Sequence, residues 1–188
     1  MSEHHRMSRD HREPPTSGPA GAARWADYLE WFRESAIAGV GALPDAARRS
    51  SRLPSGWTPV ELLSHLRHME QRWFVWGFLA EPVPAPWGDW NVADPADPAG
   101  PTAGASGPDG LRWAVPDDVG IDELVADLRR TGDRTRSILV EHPLDARGRT
   151  GGRFHDEPPT LEWICFHVMA DYARHLGHLD IVVELDGR

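Results

Sequence analysis

Four side chains able to bind a metal or move a proton fall in one short stretch: His167, Asp171, His175 and His178, spaced by four, four and three residues. At about 100° per residue of helix they share an arc of roughly 60–80°. Their neighbours are Trp163, Ile164, Phe166, Val168, Met169, Leu176, Leu179, Ile181 and Val182. A polar stripe down an apolar helix needs partners, because an unpaired buried polar group costs about 1–3 kcal/mol. A divalent metal ion is the partner that would satisfy several of them at once.

Asp171 and His175 stand at i, i+4, which puts both on one helix face within reach of a single ion. A second stretch, running on from Thr58, offers His65 at the edge of its own apolar stripe. Two imidazoles and one carboxylate leave coordination positions open, the arrangement of a catalytic rather than a structural metal. Blander roles stand beside this one. His65 could be a satisfied core histidine, Asp171 could pair with Arg174, and His167 could hydrogen-bond the backbone or support the site from outside. His178 rivals Asp171 for the third position, since His175 and His178 at i, i+3 could also chelate. Asp171 with His175 is the preferred pair. His68 and His155 are expected at the surface or a pocket rim.

The elements that must position these groups read as helices. Trp25, Tyr28, Leu29, Phe32, Ile37 and Val40 recur at helical spacing over 22–41, ended by Gly39, Gly41 and Pro44, with a short turn expected at 45–49. Thr58-Pro59-Val60-Glu61 is a capping box with proline at the first helical position. From it a second long helix runs to about Leu79, with Leu62, Leu66, Met69, Trp73 and Trp76 as its stripe. Residues 81–119 lack a period. Trp87, Trp90 and Trp113 imply that parts of this loop pack, while its Pro/Gly/Ala/Asp centre over 93–110 does not. A third helix spans about 121–141. After an Arg- and Gly-rich loop, Thr160 caps a fourth, with Pro158-Pro159 preventing an earlier start. No strand pattern appears. The fold class is all-α, a four-helix bundle with a long loop between its second and third long helices. Residues 1–20 read as a disordered polar tail, in which His4, His5 and His11 could bind metal weakly, and 21–188 as a single domain.

Composition narrows the function. The chain has 188 residues and a net charge of −9 with histidines neutral, which argues against nucleic acid and anionic membranes as partners. All its Lys/Arg residues are arginine, so lysine Schiff-base and Walker-type chemistry is excluded. The single cysteine, Cys165, lies among Trp163, Ile164 and Phe166 and reads as an inert core thiol. With no internal disulfide and no apolar leader in the first residues, a cytoplasmic location is expected. Charged residues interrupt the apolar run 163–183, so a buried helix is expected rather than a membrane span. Paired Glu-x-x-His helices, a Gly-x-Ser-x-Gly elbow, a phosphate loop and a dinucleotide fingerprint are all missing.

The run Ser55-Gly56-Trp57-Thr58-Pro59-Val60-Glu61-Leu62-Leu63-Ser64-His65-Leu66, followed by Glu70-Gln71-Arg72-Trp73-Phe74, resembles the DinB/YfiT-like superfamily. So does Thr160-Leu161-Glu162-Trp163, then His167, then Asp171 through Ile181. The look is nearest to an actinobacterial branch of uncharacterised DinB-like proteins and covers about residues 22–186. The resemblance implies a bundle holding a divalent metal through His65, Asp171 and His175. Many relatives carry His or Glu where this chain has Asp171, and Gln where it has His178. Characterised members include a mycothiol-dependent maleylpyruvate isomerase and bacillithiol or mycothiol S-transferases, in which the metal is held to lower the pKa of the cofactor thiol. The arginine-only composition suits mycothiol over bacillithiol.

The expected function is therefore a metal-dependent S-transferase that joins a mycothiol-type thiol to a small electrophile. Zinc is preferred, with nickel, iron or manganese as alternatives. Arg174 and His178 are the candidate catalytic residues, and Arg174 or an arginine of 147–153 could hold a substrate carboxylate. The rival readings are a metal-dependent hydrolase of a small ester or amide, with Glu61 or Glu70 as base, and a non-catalytic, ligand-binding bundle. A homodimer is a further expectation.

Overall fold

The computed structural model describes residues 12–91 and 112–187. Its helices are α1 (Ala22–Gly41), the short α2 (Asp45–Arg48), α3 (Pro59–Glu70), α4 (Ile121–Glu141) and α5 (Leu161–Asp186). The chain continues from α3 without a break into a π-helical segment, Gln71–Phe78. Among the described residues there is no strand, only two isolated bridges, Trp90 to Trp113 and Arg147 to Thr160. No helix among them is long and apolar enough to cross a membrane.

Local signals set the helix starts. Thr58 accepts from the Glu61 amide while the Glu61 carboxylate accepts from the Thr58 amide at 2.7 Å, closing the capping box. Thr160 accepts from the Trp163 amide in the same way at the head of α5. Such caps are worth about 1 kcal/mol each.

The apolar stripe of the second long helix departs from the expected one. Leu62, Leu66 and Met69 are buried, but the next core positions are Phe74 and Phe78, not Trp73 and Trp76. The step from Met69 to Phe74 is five residues, the repeat of a π-turn. That extra residue hands the core to the phenylalanines and swings Trp73 toward α5.

Helix α1 packs on α4 and α5, and α3 packs on α4, while α3 and α5 meet less extensively. The loops fill that looser side. Trp87 is buried there, and the Trp90–Trp113 bridge closes the two described ends of the long connection over the bundle. The loop centre expected not to pack, 93–110, lies outside the described residues.

The core also holds an ion pair that helical periodicity did not foretell. Arg33, 2% exposed, donates to fully buried Glu70 at 2.6 and 3.3 Å and to Glu30 at 2.8 Å. Tyr172 adds a hydrogen bond to Glu70 at 3.3 Å. Gly132 makes the room, since a Cβ there would lie 2.1 Å from Arg33 Cζ. Glu70 is thus committed to structure and Glu61 to its cap, so neither serves as the base a hydrolase would need.

Three further expectations are corrected. His68 is buried, not at the surface, because the connection folds back over it and a Cβ on Gly88 would sit 2.9 Å from its Nε2. Helix α5 is not enclosed all round: Trp163, Phe166, Ile181 and Leu185 remain exposed. Of the tail expected to lack structure, residues 1–11, with His4, His5 and His11, lie outside the described residues. The segment after them is tied to α1, Arg24 donating to Pro19 and Gly18 carbonyls and Tyr28 to Glu13.

Candidate functional site

His65 of α3 and His175 of α5 meet across the looser side of the bundle, ring centroids 4.9 Å apart and nearly perpendicular. Trp113, brought in by the bridge to Trp90, stacks on His65 at 3.9 Å and packs edge-on to His175 at 5.2 Å. The indole covers a face of His65 and packs on His175, which stays partly exposed.

Asp89 fixes the orientation of His65. This fully buried carboxylate lies 2.8 Å from His65 Nδ1 and accepts from Arg72 at 2.6 and 3.1 Å. The hydrogen bonds to His65 and Arg72 and the Arg72 charge outweigh burial and hold the Asp89 carboxyl down at about 2. Ionised, it can only accept, so His65 Nδ1 carries the proton and Nε2 the lone pair. Burial outweighs the pull of Asp89 on His65 and keeps its pKa below the ordinary histidine value. The pair is therefore a neutral imidazole donating to a carboxylate whose charge Arg72 balances.

His175 is neutral as well. Burial first, then the neighbouring His65, His178 and Arg174, lower it to about 3. Its Nδ1 is buried and has no hydrogen-bond partner among the described residues. An orphaned imidazole nitrogen beside a histidine oriented by a carboxylate is the donor chemistry of a divalent-metal site, where a carboxylate commonly orients the ligating ring. These two residues fit such an ion. Among the described residues, though, no three His, Cys, Asp or Glu side chains are gathered closely enough to hold one.

Asp171 lies 3.5 Å from Arg174 Nη1 and 3.6 Å from His167 Nε2, and its charge reaches His65. His178 is exposed on the next turn, its ring 6.4 Å from that of His175. Arg174 is 67% exposed and bound only loosely by Asp171. His167 stands two turns away, stacked on Trp163 at 5.2 Å and against Trp73 at 4.1 Å. Cys165 is buried, its thiol pushed up to about 12, as an inert core residue requires. His155 is exposed.

The spacing pattern did not single out Asp89, Arg72 or Trp113. A signal existed for each. Asp89 sits within Trp87-Gly88-Asp89-Trp90, an acidic residue inside a tryptophan cluster. Arg72 follows His65 by seven residues, two helical turns on the same face. Trp113 closes the long loop opposite Trp90.

A protein-family profile described as Mycothiol-S-transferase matches residues 25–187, nearly the whole bundle. No curated protein matches the chain.

Proposed function

Because the chain belongs to the mycothiol-S-transferase family, we propose that it transfers a mycothiol-type thiol to a small electrophile at the His65–His175 site. His65 and His175 would supply two ligands to a divalent metal, zinc preferred, with nickel, iron or manganese suiting the same donors; Asp171, which now faces Arg174 and His167, would have to turn from them to serve as the third. When bound, such an ion supplies the positive charge that keeps a coordinated thiol deprotonated at neutral pH.

The chain's own residues do the rest. Asp89 and Arg72 hold His65 in the tautomer that offers Nε2. Burial keeps His175 neutral, with its lone pair available at pH 7. Trp113 covers the His65 ring and packs on His175, limiting the water that reaches them. His178, exposed beside His175, would carry the thiol proton to solvent. The sulfur then bonds to the electrophilic carbon, and the leaving group departs with its electron pair. The observation that carries the proposal is the unpartnered Nδ1 of His175 beside a histidine oriented by a carboxylate.

The test is mycothiol consumption with a chlorinated or epoxide acceptor, comparing zinc-loaded protein with His65→Ala and His175→Ala. Loss of turnover in both variants is expected. Equal rates in all three proteins would overturn the proposal, and acceptor breakdown without thiol would replace it with hydrolysis.

A further inference from the structure

Arg153 is a cation without an anion. Its guanidinium carbon lies 4.4 Å from the ring centre of Trp73 and 5.2 Å from that of Trp87. Its Nη1 is buried and has no hydrogen-bond partner among the described residues. Contact with aromatic faces uses the flat side of a guanidinium and leaves its in-plane N–H edge unsatisfied. No acidic side chain among the described residues pairs with it. The buried carboxylate Asp89 is already shared by Arg72 and His65.

The backbone holds Arg153 in place. Its amide donates to the Trp76 carbonyl at 3.2 Å. The preceding residue is Gly152, where a Cβ would lie 2.2 Å from that same oxygen. Arg149 donates its amide to the Phe78 carbonyl at 2.8 Å. The loop is thus laced to the π-helical segment, and the arginine is positioned before any ligand arrives. It also neighbours the proposed site. Arg153 and His167 share the Trp73 ring, and Trp87 lies against both Arg153 and Arg72, the partner of Asp89. Two guanidiniums and one carboxylate leave a local positive charge in a chain of net charge −9.

We propose that Arg153, set against Trp73 and Trp87, is the anchor for a carboxylate on the acceptor, making a carboxylic acid the preferred electrophile. A carboxylate matches the planar fork in two parallel hydrogen bonds. The inference rests on the transferase reading for the word acceptor. The anchor itself can be measured without any transfer.

Two paired measurements separate them. Calorimetric titration with para-toluate and with para-toluamide reads the anchor alone. Turnover of para-chloromethylbenzoate against its amide, with mycothiol and zinc-loaded protein, reads its use. The acid is expected to bind at least tenfold more tightly than the amide. Its kcat/KM should exceed the amide's by a similar factor through KM, and Arg153→Gln should erase both preferences. No acid preference in the native protein, or a preference that survives Arg153→Gln, overturns the proposal. If Arg153→Gln does not fold, Arg153→Lys keeps the charge and loses the fork. A reduced but persisting preference then supports the anchor, and an unchanged one overturns it. Binding preference without turnover would retain the anchor and refute the transferase, and turnover without preference would do the reverse.

Discussion

Replacing Asp89 with asparagine tests the hydrogen-bonded support beneath the site. The side chain is fully buried and accepts from both His65 and Arg72. Its carboxyl is lowered from 3.8 to about 2, which corresponds to about 2–3 kcal/mol of folding stability at neutral pH. The sign follows from the direction. The unfolded chain binds this proton first on acidification, so the contribution is complete above about pH 4 and fades as pH falls toward about 2. Asparagine keeps the shape and one acceptor but leaves the buried Arg72 charge uncompensated. The expected loss is about 2–4 kcal/mol, or roughly 5–12 °C in Tm for a chain of this size. Urea unfolding at pH 7 and at pH 3 checks it: the native protein should approach the variant at the lower pH. The variant should also bind zinc more weakly, on the order of 10–100-fold, because a ring freed from its orienting carboxylate can flip its tautomer. Stability within about 0.5 kcal/mol of native at pH 7 would refute the reasoning, since no buried pair worth breaking would then exist.

Other consequences can be checked separately. Gly132→Ala should destabilise by several kcal/mol, on the order of the loss of a buried ion pair, because the new methyl would displace Arg33 from Glu70; thermal unfolding reads this, and an unchanged Tm would refute it. His68 donates Nδ1–H to the Ser64 carbonyl and takes a hydrogen bond from Arg67, and burial holds it at about 4, below the usual 6.5. It binds its proton more readily when unfolded, so it should cost about 2–3 kcal/mol of stability as pH falls from 6.5 to about 4.5. His68→Gln should flatten that slope in urea titrations, and a slope identical to native would remove His68 as its source. Cys165, at about 12, should resist iodoacetamide at pH 8 in the folded protein and react once urea unfolds it; rapid labelling of the folded form would contradict its burial.

The helices were legible because their signals are local. The capping box at Thr58, the proline pair before Thr160, and the apolar periods of 22–41 and 121–141 depend only on residues within a few positions of one another. The same is true of the polar stripe on α5, which marked His175, and of the cap that set the register of His65. What the chain order did not carry were contacts between distant segments. Asp89 becomes the partner of His65 only because the connection folds back across α3. Arg33 is buried only because Gly132, on another helix, makes room for it. The π-turn after Glu70 moved Trp73 out of the core and toward α5, a change that a regular 3.6-residue period cannot register. The sequence by itself therefore determined the bundle and the helices that carry His65 and His175, since periodicity and capping are properties of neighbouring residues. The tertiary structure alone decided how His65 is oriented, which buried nitrogen stands without a partner, and which arginine is left without a carboxylate, since each depends on burial and pairing across segments far apart in the chain.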